Sequence, residues 1–307
     1  MSAPSLPRTR SPLRVSRQGT DSARLDTALG WTPRLGPALV LRVVLCVLVL
    51  FVFAAPFVTM LSGAFDAGAR STALSLFPSH PTINNFRVAQ SRDLWGYLTN
   101  SLVIAGGGLL LQMVVSVFAA YALARRRFRG SALVMSLFLL TMMLPEEVIA
   151  VPLSLVIGDL PVLHVSLRGT LLGVMLPVGI WGFSILVMTE FMKEIPKEIE
   201  EAARLDGVGE FRMLWQIILP LCRPALGVIG IFGFLMIWDQ YLLPLIVAND
   251  PGDYTLTVAL SVMRTDPVVG PGALLAGALV ALVPSLIVYF CLQSSMIRGI
   301  TAGASKG

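Results

Sequence analysis

Six times along this chain an apolar run lasts for the ~20 residues an α-helix needs to cross a bilayer. The runs fall at about 38–60, 97–123, 132–158, 169–191, 224–247 and 271–296. Nothing else in the sequence constrains the fold as tightly. Inside hydrocarbon every backbone N–H and C=O must be paired within the protein, and a helix pairs them within its own segment. The expected fold class is therefore all-α, a polytopic helical membrane protein with six transmembrane helices. Composition agrees, because 13% of the 307 residues are charged, against about a quarter in soluble domains.

Orientation follows from Lys and Arg, which are retained on the cytoplasmic side. With the N-terminus inside, 18 of the 23 fall in inner segments. Both termini are then expected in the cytoplasm of a multi-pass cell-membrane protein. The basic pI reflects this topology and calls for no nucleic acid. Residues 1–37 are rich in Pro, Ser, Thr and Arg and read as a disordered basic tail. The first apolar run exceeds a signal-peptide core in length, so it is expected to remain as an uncleaved span. A permease domain over 38–298 and a short tail over 299–307 complete the expected organisation.

Several chemistries are excluded. Cys46, Cys222 and Cys291 share no ligand-like spacing, and His80 and His164 stand alone, so no metal site and no disulfide framework is expected. The chain lacks G-x-x-x-x-G-K-[ST], H-E-x-x-H and G-x-S-x-G. No catalytic residue is assigned, and the chain is expected to bind no cofactor of its own.

Within the runs, Gly106, Gly107 and Gly108 are positioned to let neighbouring helices approach closely. Pro145 and Pro152 are expected to kink the third span. Glu146 and Glu147 then fall near mid-membrane, where a carboxylate costs ~2.5–3.5 kcal/mol on insertion scales. Glu147 is the candidate for facing the solute path. The alternative is a broken helix that brings the acids to the outer surface.

One segment breaks the apolar pattern. Ten charged residues lie between Lys193 and Arg212, with a net charge of −2, inside the loop 192–223. Pro196 opens a helix that places Ile199, Ala202 and Ala203 on one side, with Glu200 four residues before Arg204 as a surface pair. Gly207 is placed to end it in a left-handed cap. A second helix repeats Phe211, Leu214, Trp215 and Ile218 at helical spacing until Pro220. An amphipathic connector lying on anionic lipid would carry basic residues on its polar face. This acidic segment fits a protein partner better.

Here the residues meet a family. Glu201-Ala202-Ala203, three residues, Gly207, nine residues, Ile217, one residue and Leu219-Pro220 resemble the EAA signature of ABC importer membrane subunits in full, and Asp206 fits as well. The resemblance is nearest to the carbohydrate, maltose-importer-like branch and covers about Pro37 to Gly307. Asn100-Ser101-Leu102, Tyr121 through Arg125, and Pro145 through Pro152 add to it. It implies that the first loop helix is a coupling helix seated in a separate ATPase subunit, with Glu201, Ala202, Ala203, Asp206, Gly207, Ile217, Leu219 and Pro220 serving that coupling. It also implies that Gly299, Thr301, Gly303, Lys306 and Gly307 reach the ATPase pair. The implied partners are a second, different membrane permease subunit, two copies of the ATPase, an extracytoplasmic solute-binding protein and membrane lipid. ATP and Mg would be used by the ATPase alone.

Trp238, Asp239, Gln240 and Tyr241 combine aromatic surface with hydrogen-bonding groups, which suits a sugar. The family commonly shows Trp-Asn-Glu/Asp-Phe there. The other reading makes Trp238 and Tyr241 an interfacial belt, with Asp239 reaching water. Two rival functions remain at this stage, an ABC importer for a non-sugar solute and a proton-coupled carrier using the membrane acids. Vesicles given a pH gradient but no ATPase separate the carrier from either importer.

Overall fold

The structure, a computed structural model, describes residues 37–69, 76–126, 128–266 and 268–304. The expected tail 1–37 lies outside the described residues except for Pro37, and Lys306 and Gly307 lie outside them too.

Helix α1 covers Pro37–Ala64. Its part up to Ala55 belongs to a compact unit of its own, where Val40, Leu50 and Phe53 are exposed, as contact with lipid requires. The second unit, from Pro56 onward, holds the remaining helices. These are α2 (Asn84–Gln90), α3 (Leu94–Arg125), α4 (Ser131–Met143), α5 (Glu146–Gly158), α6 (Leu171–Val178), α7 (Gly182–Glu194) and α8 (Lys197–Leu205). They continue as α9 (Glu210–Leu221), α10 (Arg223–Trp238), α11 (Leu242–Val247), α12 (Leu256–Met263) and α13 (Pro271–Ala304). The described residues form no strand, only an isolated bridge between Asp66 and Pro81.

Three apolar helices are long enough to cross a membrane unaided: α1, α3 and α13. Three further crossings are bent pairs, α4 with α5 at 108°, α6 with α7 at 41°, and α9 with α10 at 74°, which brings the number of spans to as many as six. The third run therefore differs from the kinked span expected for it. Leu144 precedes proline and so avoids the helical region, with ψ 126°, and Pro145 follows at ψ 138°. Two successive extended residues fold the run over on itself. Each half has 13 residues, about 20 Å of helix, which is short of the hydrocarbon thickness. Pro152 stays inside α5 without ending it.

Helix α3 is the organising element. It packs against α6, α7 and α10, and its buried Ile104, Ala105, Val117 and Ala120 contribute to two apolar clusters. Gly108 provides a close approach, since a Cβ there would press on Val178 and Ile237. Gly107 meets Met175, but Gly106 faces open space and supports no helix contact. One cluster gathers Val174, Ile237, Trp238, Leu256 and Ala273. The other gathers Met188, Met192, Ala203, Met213 and Ile218 around the charged loop.

Candidate coupling loop and solute cavity

In α8 the residues 197–205 form a helix because good helix formers follow Pro196, whose ψ of 137° makes it the N-cap rather than the first helical residue. At the other end Gly207 adopts φ 79°. Its N–H donates to Arg204 O at 3.0 Å, and the Val208 N–H donates to Ala203 O at 3.0 Å, which is a Schellman cap. Val208 and Ala203 pack in the same cluster beneath it.

The inward face of α8 is not the side that Ile199, Ala202 and Ala203 share. Glu200 and Ala203 are buried, whereas Ile199 and Ala202 are exposed. The cause is Arg125 at the end of α3. Its Nε lies 2.8 Å from Glu200 Oε1, with both side chains over nine-tenths buried, and its Nη2 donates to Ile195 O at 3.0 Å. The Nε contact is short but misaligned, so it is an ion pair rather than a directed hydrogen bond. Arg204, the partner expected for Glu200, stands 3.8 Å away and is half-exposed.

Glu210 opens α9 and returns to the same helix end. The Tyr121 hydroxyl donates to its Oε2 at 2.6 Å, Arg126 lies 2.7 Å away and Arg204 3.5 Å. The tyrosine hydrogen bond, helped by the two guanidinium charges, holds the Glu210 carboxyl below its ordinary range. Residues 213–218 within α9 form a π-helix, the wider turn with i→i+5 bonding. Met213 and Ile218, one such turn apart, are buried together with Leu214, while Phe211 and Trp215 are exposed. The α-helical stripe expected from sequence is shifted by that wider turn.

The signature residues thus divide into two sets. Ala203 faces inward, and Ile217 and Leu219 pack against the cluster, with Pro220 partly covered. Glu201, Ala202 and Asp206 are exposed, and Leu205 between them is 90% exposed. At the chain's end, Gly299, Thr301 and Gly303 lie on α13, which continues to Ala304.

A second site lies where the broken spans meet. A cavity of about 280 Å³ opens between the α4–α5 fold, the α6–α7 break and the start of the α10–α11 break. Thr141, Glu146, Trp181 and Gln240 line it among apolar side chains. Glu146 Oε1 and Gln240 Oε1 are both buried without a hydrogen-bond partner. Glu147, the expected candidate, is exposed and does not line the cavity. Of the four residues Trp238 to Tyr241, Gln240 alone lines it. Trp238 is a core residue, 6% exposed, stacked on Phe234, with Nε1 donating to Ala281 O at 3.2 Å. Tyr241 is exposed, and its hydroxyl accepts from Ser261 Oγ at 3.3 Å. Asp239 is exposed as well. Trp238 therefore fits neither the sugar-stacking nor the belt expectation.

Residues 112–295 match the protein family described as the binding-protein-dependent transport system inner membrane component. The chain belongs to that family. As a multi-pass membrane component of an ABC importer, the permease has curated relatives of similar length. The diacetylchitobiose uptake system permease protein DasC of Streptomyces coelicolor is 32% identical over 75% of this chain and 83% of the relative. The maltodextrin transport system permease protein MdxG of Bacillus subtilis is 31% identical over 82% and 90%. A bacterial ABC transporter involved in alginate import supplies a chain of the same fold, with TM-score 0.72 and 22% identity, covering 88% of the permease and 97% of that chain.

Proposed function

We propose that this permease forms half of the translocation pathway of a sugar importer and is driven by a separate ATPase subunit docked on α8. The observation that carries the reading is the split in the loop. One set of signature residues is packed against the cluster beneath α8, and the other, Glu201, Ala202 and Asp206, is presented outward together with Leu205, with none of the described residues covering it. An exposed leucine flanked by acids on a short capped helix suits a groove with apolar and basic walls. The loop then faces the cytoplasm, a placement that the distribution of Lys and Arg supports, with both termini on that side.

In this reading the chain hydrolyses no nucleotide itself, and ATP and Mg act on the two ATPase copies. A second, different permease subunit completes the pathway, and an extracytoplasmic binding protein delivers the solute. The C-terminal stretch from Gly299 to Gly307 reaches the ATPase pair. The sugar assignment is supported by the relatives' named solutes and by the cavity, whose two unpartnered acceptors suit a hydroxyl-rich molecule.

Gly207→Pro tests the docking. Proline fixes φ near −65° and lacks the N–H that closes the cap, so it is incompatible with φ 79°. Uptake by the assembled transporter should fall below detection, and the ATPase should no longer co-purify, while the permease remains in the membrane fraction. Normal uptake by this variant would remove α8 from the coupling step.

A further inference from the structure

In sequence the loop connects α7 to α10, which would make those two spans its natural levers. Its polar contacts lead elsewhere. Arg125, Arg126 and Tyr121, all at one end of α3, hold Glu200 and Glu210 from both loop helices. At the opposite end of α3, Asn100 Nδ2 donates to the carbonyls of Gly252 at 2.8 Å and Tyr254 at 3.0 Å. Ser101 Oγ there accepts from the Leu256 N–H at 2.8 Å, beside the Thr255 cap of α12. Midway, fully buried Gln112 donates to Val178 O at 3.1 Å, the last carbonyl of α6 before the break. A Cβ on Gly233 of α10 would collide with Gln112, so the same side chain lies against the fifth span.

Helix α3 is also the one apolar run of the six that contains no proline, and its 32 residues form a continuous helix of about 48 Å. The runs around it are folded at Pro145, bent at the α6–α7 junction, or interrupted after Trp238. A broken helix absorbs displacement at its break, whereas a continuous one passes it on. To move α8 without α3, two charges that are over nine-tenths buried would have to part. Coupling between distant sites can be carried by packed side chains, hydrogen bonds and a rigid helix, and these contacts lie along one such helix.

We propose that α3 is the transmission rod of this permease: it carries movement of the coupling loop across the membrane to the 252–256 segment at the opposite mouth. Arg125, Gln112 and Asn100 are its positioning residues. The proposal rests on the coupling reading of α8 and adds the route by which the stroke leaves the loop. It makes the second span, rather than the two spans adjoining the loop, the element whose position the ATPase sets.

The test uses the complete transporter in proteoliposomes, and reads solute uptake per ATP hydrolysed alongside ATPase co-purification. Arg125→Glu and Glu200→Arg should each lower uptake per ATP at least ten-fold, and the double swap should recover it to within three-fold. Should the single swaps fail to assemble, Asn100→Ala gives an independent reading from the far end of the rod. It should lower uptake per ATP about five-fold with the ATPase still attached. A double swap as poor as the single ones, or wild-type coupling in Asn100→Ala, would overturn the rod. Glu201→Ala, outside the clasp, keeps the two claims apart. If it leaves uptake unchanged, the docking reading fails; if it abolishes uptake while Asn100→Ala couples normally, the rod alone fails.

Discussion

The Arg125 end of α3 buries Glu200, and the cavity between the broken spans buries one oxygen of Glu146 and one of Gln240, yet the two treat these groups in opposite ways. At the helix end Glu200 and Glu210 each meet a cation within 2.8 Å. In the cavity Glu146 Oε1 and Gln240 Oε1 meet nothing. Buried polar groups are normally paired, because an unpaired one costs about 1–3 kcal/mol. A paired buried charge makes a joint that resists separation. An unpaired acceptor beside an open volume is a place held for something that arrives. On the function proposed above, the contrast separates the mechanical part of the permease from the part that meets solute.

The largest effect should come from the cavity. Glu146→Gln together with Gln240→Leu should raise the half-saturating solute concentration for uptake at least ten-fold, with maximal ATPase rate within two-fold of wild type. Glu147→Gln, one residue away but exposed, should change neither by more than two-fold. Equal effects at Glu146 and Glu147 would dissolve the distinction drawn above.

Next comes the clasp itself. Arg125→Ala leaves Glu200 buried without its counter-ion and should destabilise the loop by about 3–5 kcal/mol, measured by thermal unfolding in detergent. Arg126→Ala removes a pair that is about half-exposed on both sides and should cost at most about 1 kcal/mol. A similar loss from both would mean that burial does not distinguish them.

The smallest effect is that of pH. Glu210 has a folded pKa below its ordinary value of 4.5, so its contribution to stability is present in full above that value. The contribution is lost as pH falls from there through the lowered folded value. The opening of the loop amides, measured by hydrogen exchange corrected for the intrinsic pH dependence of the amide rates, should therefore be steady above about pH 5 and rise as the medium is acidified below 4.5. Tyr121→Phe, which removes the largest cause of the shift, should move that rise toward higher pH. Asp66, beyond the end of α1, follows the same sign. The backbone N–H groups of Ser79, Gly68 and His80 hold its carboxyl far below the aspartate range, so its turn should persist to more acidic conditions than the loop.

The loop was legible in the sequence because its information is local. Pro196, Gly207 and the acidic spacing lie within about a dozen residues, and capping chemistry reads at that range. Arg125 and Glu200 are 75 residues apart, and no periodicity connects them. Their meeting depends on how α3 and α7 pack. For that reason the apolar residues of α8 did not reveal which face turns inward. The π-turn at 213–218 was hidden for a related reason, because helical spacing presumes a period that this segment does not keep. In the third run Pro145 announced a disturbance but not its size. The 108° fold set the phase of α5, and with it which of two adjacent glutamates faces the cavity.

One consequence of the left-handed residue at 207 extends past the cap it closes. By reversing the chain there, it returns position 210 to the helix terminus already gripped at position 200. The segment between them is a buckle with both prongs through the same strap. A force applied anywhere along its outer edge is delivered to a single point.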